Sequence, residues 1–315
     1  MAFLNIDIIK VPLFYGCDRK GVEGGPRSLI ESGLVDLIEK YDHKVRDKGF
    51  VDVPAVAEAD KYKAHPKLKY LDAVVETSEN IARAVNESFA EGRLPLTIGG
   101  DHSLALGTLA ATTRAYGNEM GIIWIDAHTD INTTDTSPSG NIHGMPLGAS
   151  LGEGHERLVD IVYKGQKVNP RNCFILGARS VDEGEMEIID RLGINVWYME
   201  EIREKGMGIV LMELLELLDR RSIKDIHISY DIDSLDASLV PGTGTPVVDG
   251  LWFDESEKLI KGILATGMVR SVDFVEFNPL RDIDDKTLKS SFNMLEAFAS
   301  GLKDCDSCNN DIRTA

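Results

Sequence analysis

Apolar residues along this chain follow two alternating rhythms. Short, nearly continuous apolar runs occupy residues 3–11, 94–98, 121–125, 173–177, 194–197, 226–230 and 268–275. Runs such as GIIWI and FILGA lack polar alternation, which predicts parallel strands covered on both faces. Between them, residues 67–91 place Leu71, Val74, Val75, Ile81, Ala82 and Val85 at helical spacing. Residues 208–220 and 254–264 also read as helices, and a last helix over 287–302 closes the pattern.

Strand and helix alternate through the whole length. That predicts α/β architecture, one domain over residues 1–303 with a mostly parallel central sheet. No low-complexity linker, repeat or shift of composition marks an internal boundary. The polar end, residues 304–315, is expected to fray, and Cys305-x-x-Cys308 within it reads as part of a dispensable tail rather than a redox or metal pair. Two loops, residues 133–148 and 236–250, are long and rich in Gly, Pro, Ser and Thr, as functional loops often are.

Charge narrows the classes of partner. Lys and Arg number 34 and Asp and Glu 52 in 315 residues, a net charge of −18. This excludes the basic footprint of a nucleic-acid binder and disfavours an anionic membrane surface. No apolar run approaches the ~20 residues of a membrane span. The first ten residues have no basic stretch, and Asp7 interrupts them, so no signal peptide is expected. Four cysteines in so long a chain do not form a disulfide framework, and a cytoplasmic location follows as the expectation.

The candidate chemistry gathers at strand ends. Asp126, His128 and Asp130 (IDAHTD) follow one strand, and Asp231 and Asp233 (YDID) end another. Spacing of two in extended chain puts these side chains on one face. His102 comes from GGDHS, after the strand LPLTI, where paired glycines permit close backbone approach. Asp101 in that turn reads as an orienting residue. Open α/β sheets place their ligands at the carboxyl ends of strands. Two imidazoles and four carboxylates exceed the needs of one zinc with an open position. They suit two divalent ions ~3.5–4 Å apart. The preponderance of carboxylate favours Mn²⁺ over Zn²⁺. Four aspartates without basic neighbours would repel one another unless cations sat between them.

GVEGGPRSLI, GGDHS, WIDAHTDIN, SGNIHGMP, SYDIDSLD, PGTGTPVVDGL and VEFNP, in this order, resemble the ureohydrolase (arginase) family. The resemblance implies a three-layer α/β/α fold, a binuclear manganese cluster, and hydrolysis of L-arginine to L-ornithine and urea by a metal-bridged hydroxide. It implies bridging roles for Asp126 and Asp231. His102 and Asp130 would complete one ion's shell, His128 and Asp233 the other's. Asp130 would accept the proton of the attacking hydroxide, His143 would shuttle a proton to the leaving amine, and Glu276 would hold the guanidinium. By the same resemblance Asn132, Ser137, Ser139 and Asn141 bind the α-carboxylate, Asp182 and Glu185 face the α-ammonium, and Thr245 lies near the metal-bound product. Trimers, or hexamers among bacterial members, are implied as assemblies.

Two departures from the family pattern stand out. Ser180 replaces an aspartate frequent near the α-ammonium, and Ser137 replaces a common threonine. Agmatinase, guanidinobutyrase and formimidoylglutamase would share the metal ligands. The SGN element before His143 favours a substrate with a carboxylate. A deacetylase-like single-zinc site is disfavoured by the six ligand residues, and an inactive metal-binding protein by the presence of His143 and Glu276.

Overall fold

The computed structural model describes residues 4–304. Cys305 and Cys308, and the tail that holds them, lie outside the described residues. Among the described residues eight strands form one sheet: β1 (Asn5–Val11), β2 (Lys44–Phe50), β3 (Leu94–Gly99), β4 (Gly121–Ile125), β5 (Cys173–Ala178), β6 (Asn195–Tyr198), β7 (Ile226–Asp231) and β8 (Val269–Val275). Their order is β2-β1-β3-β8-β7-β4-β5-β6, and every pairing is parallel.

Side-chain alternation builds two cores from this sheet. On one face Ile6 and Ile8 of β1, Ile123 and Ile125 of β4, and Phe174 and Leu176 of β5 share an apolar cluster with Leu214, Leu264 and Leu295 from three helices. Those helices are Met207–Arg220, Phe253–Leu264 and Lys286–Asp304. On the opposite face Ile9 and Val11 pack with Val74 and Ile81 of helix Leu71–Ala90. Ile122, Trp124 and Ile175 pack there with Leu109 of helix Ala105–Tyr116 and Ile188 of helix Glu183–Leu192. Helices therefore cover both faces, and the fold is a three-layer α/β/α sandwich. Among the described residues no helix is long and apolar enough to cross a membrane.

Seven strands and four helices fall where the hydrophobic pattern predicts them, with ends shifted by a few residues. The final helix continues to Asp304, one residue past the expected boundary. β2 has no apolar signature. It is one of the two sheet edges, its sequence KVRDKGF is half exposed, and its lysines and Gly49 suit an edge that must not pair further. Arg46 of β2 is instead anchored on the buried Asp7 of β1, at 2.9 and 2.6 Å. Helix Ala105–Tyr116 also gives no amphipathic stripe, because residues 105–113 are all buried. Its Thr108 and Thr112 meet Asp273 and Ser271 of β8 in a polar seam between helix and sheet.

Candidate metal centre and active site

Four adjacent central strands, β3, β8, β7 and β4, deliver the site from their carboxyl ends. After β3 the chain turns through Gly99 and Gly100 with no room for a side chain. A Cβ on Gly100 would run into the carbonyl of Leu13, and one on Gly99 into Leu104. Asp101 is buried in this turn. It accepts hydrogen bonds from the amides of Gly16 (2.8 Å), Cys17 (3.1 Å) and Ser103 (3.0 Å), so it orients the loop and is not among the ligand groups.

His102 follows and points its Nδ1 at three carboxylates: Asp126 at 3.0 Å, Asp130 at 3.1 Å and Asp231 at 3.2 Å. This Nδ1 is buried and has no hydrogen-bond partner. His128 Nδ1 lies 3.4 Å from Asp126 and 3.2 Å from Asp233. Among the described residues two groups of atoms are compact enough to hold an ion, His102–Asp126–Asp231 and Asp126–His128–Asp233, and Asp126 is common to both. An orphaned imidazole nitrogen facing carboxylates is the arrangement of a cation site, because each of these atoms can serve as a ligand to a metal. The donor set, rich in carboxylate, fits hard divalent metal.

Electrostatics makes the same point. Burial and the neighbouring Asp126 push the Asp130 carboxyl up to about 7. Burial, Asp233 and Asp126 raise Asp231 well above the carboxylate range. Burial acts to raise Asp126 too, but His102 and His128 together hold it below the usual range. Burial disfavours charge on His102, yet the carboxylates around it drive its affinity for a proton well above normal. The cluster is thus short of positive charge, and protons fill the deficit in the absence of ions.

Support for the ligands lies one layer further out. The His102 ring stacks on Trp124, with centroids 4.0 Å apart and planes inclined by 8°. Its Nε2 is 2.8 Å from Ser229 Oγ on β7, and Trp124 Nε1 donates to Asp126 at 3.0 Å. Arg179, half-buried, donates to the carbonyls of Asp233 and Leu235 at 2.8 and 3.0 Å and so fixes the turn after β7. Trp124, Ser229 and Arg179 were not singled out from sequence. Ser229 could have been, since it stands two residues before Asp231 on the same strand face.

Beside the centre is a cleft of about 130 Å³. Glu276 enters it from the end of β8. Its Oε1 accepts from the His102 amide (3.0 Å) and lies 3.0 Å from His143 Nδ1. Its Oε2 is buried without a partner. Burial opposes the charge on Glu276, but His143 outweighs this and lowers the carboxyl; reciprocally, Glu276 raises His143 against its burial. Both Asp130 (φ 50°) and Glu276 (φ 67°) have left-handed backbone, a strained conformation for such residues that aims the two carboxylates into the site.

All the expected substrate residues line the cleft: Asn132, Ser137, Ser139, Asn141, Asp182, Glu185 and Thr245, with Ser180 among them. Their bonds differ in kind. Thr245 Oγ1 donates to Asp233 at 3.0 Å. Asn132 donates to Asp182 at 2.9 Å and accepts from Thr136 at 2.9 Å, tying the 132–143 loop to the start of helix Glu183–Leu192. Glu185 is only 3% exposed. Its two oxygens already accept from Thr129 Oγ1 (2.7 Å), the Ile131 amide (3.0 Å) and the Asp182 amide (2.9 Å). Glu185 therefore holds the backbone beneath the cleft, and of the expected pair Asp182 presents the freer carboxylate.

A model of the arginase family matches residues 4–300. The chain belongs to this family. It is 42% identical to the arginase of Bacillus subtilis, over 93% of this chain and 97% of that one. It is 36% identical to the arginase of Staphylococcus aureus strain COL, with 93% and 96% covered. The crystal structure of the Bacillus subtilis arginase superposes with a TM-score of 0.87 at 40% identity, covering 94% of this chain and 98% of the other. Family members are metal-dependent, in keeping with the His and Asp cluster described above.

Proposed function

We propose that this protein hydrolyses L-arginine to L-ornithine and urea at a centre of two Mn²⁺ ions. The observation that carries the reading is the pair of ligand groups joined through Asp126, beside a cleft whose far wall is the 132–143 loop. His102, Asp126, Asp130 and Asp231 would hold one ion, and Asp126, His128, Asp231 and Asp233 the other. When bound, the two ions acidify water so that it attacks near neutral pH.

The remaining steps belong to the chain's own residues. The unpartnered Glu276 Oε2 accepts an N–H of the substrate guanidinium, a charge-assisted bond to a planar cation. Asp130 takes the proton from the attacking water. The C–N bond to the substrate's side-chain nitrogen then breaks, and that nitrogen needs a proton to leave as an amine. His143, kept protonated by Glu276, supplies it from the cleft wall. Asn132, Ser137, Ser139 and Asn141 offer neutral donors to the α-carboxylate, Asp182 meets the α-ammonium, and Thr245 keeps the ligand Asp233 in place. A homo-oligomer in the cytoplasm is part of this reading; Ile209 and Met212, exposed on one helix, give apolar surface for such contacts.

Urea release from the Mn²⁺-loaded protein, measured with L-arginine and agmatine side by side, tests the proposal. Urea release with a far higher kcat/KM for L-arginine than for agmatine is expected. Urea from agmatine instead would keep the metal centre and overturn the reading of the 132–143 loop.

A further inference from the structure

The wall of the cleft that meets the α-carboxylate has neutral donors on its surface, and a cation stands behind them. Lys69 Nζ donates to Asn141 Oδ1 at 2.7 Å and lies 3.1 Å from Asp18. Lys61 Nζ lies 2.8 Å from the same Asp18 oxygen. The second acid near this group, Glu58, sits 3.8 Å from Lys61 with its side chain 86% exposed, where solvent screens it. Two ammonium groups thus share one sheltered carboxylate and leave an excess positive charge. Lys69 is sheltered as well, its side chain 15% exposed. The backbone of the same segment buttresses the loop. The Lys69 amide donates to the Gly140 carbonyl at 3.1 Å, and a Cβ on Gly140, whose φ is +71°, would strike the Lys67 carbonyl. The other end of the Asn141 amide donates to the Cys17 carbonyl at 3.1 Å, so the carboxamide is gripped from both sides.

We propose that Lys69 is a positioning residue for the amino-acid end of the substrate: it fixes the Asn141 carboxamide and supplies the positive charge that the neutral donors lack. Resting on the arginine reading above, this makes Lys69 a determinant of selectivity for a guanidino substrate that bears a carboxylate. A direct ion pair is not required, because a sheltered charge one hydrogen bond behind the donor polarises it toward the anion.

The test compares Lys69→Met and Lys69→Arg with the parent, all loaded with Mn²⁺. KM and kcat are measured with L-arginine, kcat/KM with agmatine, and L-ornithine binding by calorimetry. For Lys69→Met, KM for L-arginine and Kd for L-ornithine should each rise about tenfold, the scale of one charge-assisted contact. Agmatine kcat/KM and metal content should stay at the parent's level, and Lys69→Arg should recover most of the L-ornithine affinity. Equal losses on L-arginine and agmatine, a fall confined to kcat, or unchanged L-ornithine binding would each overturn the proposal. Failure of the parent to release urea from L-arginine would instead remove the reading on which the proposal rests.

Discussion

His143 and Glu276 share a hydrogen bond of 3.0 Å through Nδ1 and Oε1, and the second Glu276 oxygen is left buried and unpaired. One carboxylate therefore serves two ends. It keeps an imidazole charged, and it offers a free acceptor to a guanidinium. Glu276→Gln removes the charge while keeping the shape. It should lower kcat/KM for L-arginine by ~10²–10³, the scale seen when a single transition-state contact is lost. It should also lower the pH at which His143 titrates, visible as a shifted limb in the pH–rate profile.

Asp126 and His143 separate metal binding from proton transfer. Asp126→Ala removes the ligand common to both groups and should abolish paired metal binding and urea release while circular dichroism remains that of the parent. His143→Ala should retain two ions and slow turnover by ~10²–10⁴, the usual worth of a general acid. Metal analysis of the two variants distinguishes them.

Ser229 has one evident task, to hold the far nitrogen of His102 at 2.8 Å. Ser229→Ala should weaken metal affinity by ~10–100-fold, as loss of such orienting partners does, while kcat at saturating Mn²⁺ falls less. A metal titration followed by activity reads both quantities.

Removal of metal should make stability depend on pH. The folded, metal-free protein keeps Asp130 protonated up to about 7, against an ordinary 3.8, and so binds more protons than the unfolded chain between these values. A raised acid of this kind loses stability as pH rises through that window. His102 and His128, whose proton affinity is also raised, continue the loss above pH ~6.5. The gap in Tm between Mn²⁺-loaded and stripped protein should widen from pH 5 to pH 8. A gap that narrows would contradict the charge balance drawn for the cluster.

The tail is expected to be dispensable. The last helix, Lys286–Asp304, packs Leu302 into the core. Truncation after Lys303 should leave urea release intact, and a large loss would assign the tail a role.

Much of this was legible in the sequence, for physical reasons that also explain the gaps. β4 and β5 are buried on both faces and apolar throughout, so they declare themselves. β2 does not, because it lies at an edge with most of its residues partly or fully exposed and its side chains mostly polar. Helix Ala105–Tyr116 is hidden for the opposite reason: it is enclosed on all sides and faces a polar seam, so no stripe forms. Asp126, His128 and Asp130 could be picked out by their spacing after a strand, although they lie in the loop that follows β4 and a left-handed backbone at Asp130 aims its carboxylate. Trp124, Ser229 and Lys69 act through another residue, and each has a partner distant in sequence: 22 positions separate Trp124 from His102, 127 separate Ser229 from it, and 72 separate Lys69 from Asn141. Glu185 shows the limit of motif reading, because only the fold reveals that its oxygens are already occupied.

The central claim is that arginine hydrolysis depends on a two-ion centre built around Asp126. The most direct test is to titrate the metal-stripped protein with Mn²⁺ while following urea release from L-arginine. Activity that rises to a plateau at two equivalents per chain is the predicted result. A plateau at one equivalent, or full activity without metal, would contradict the account.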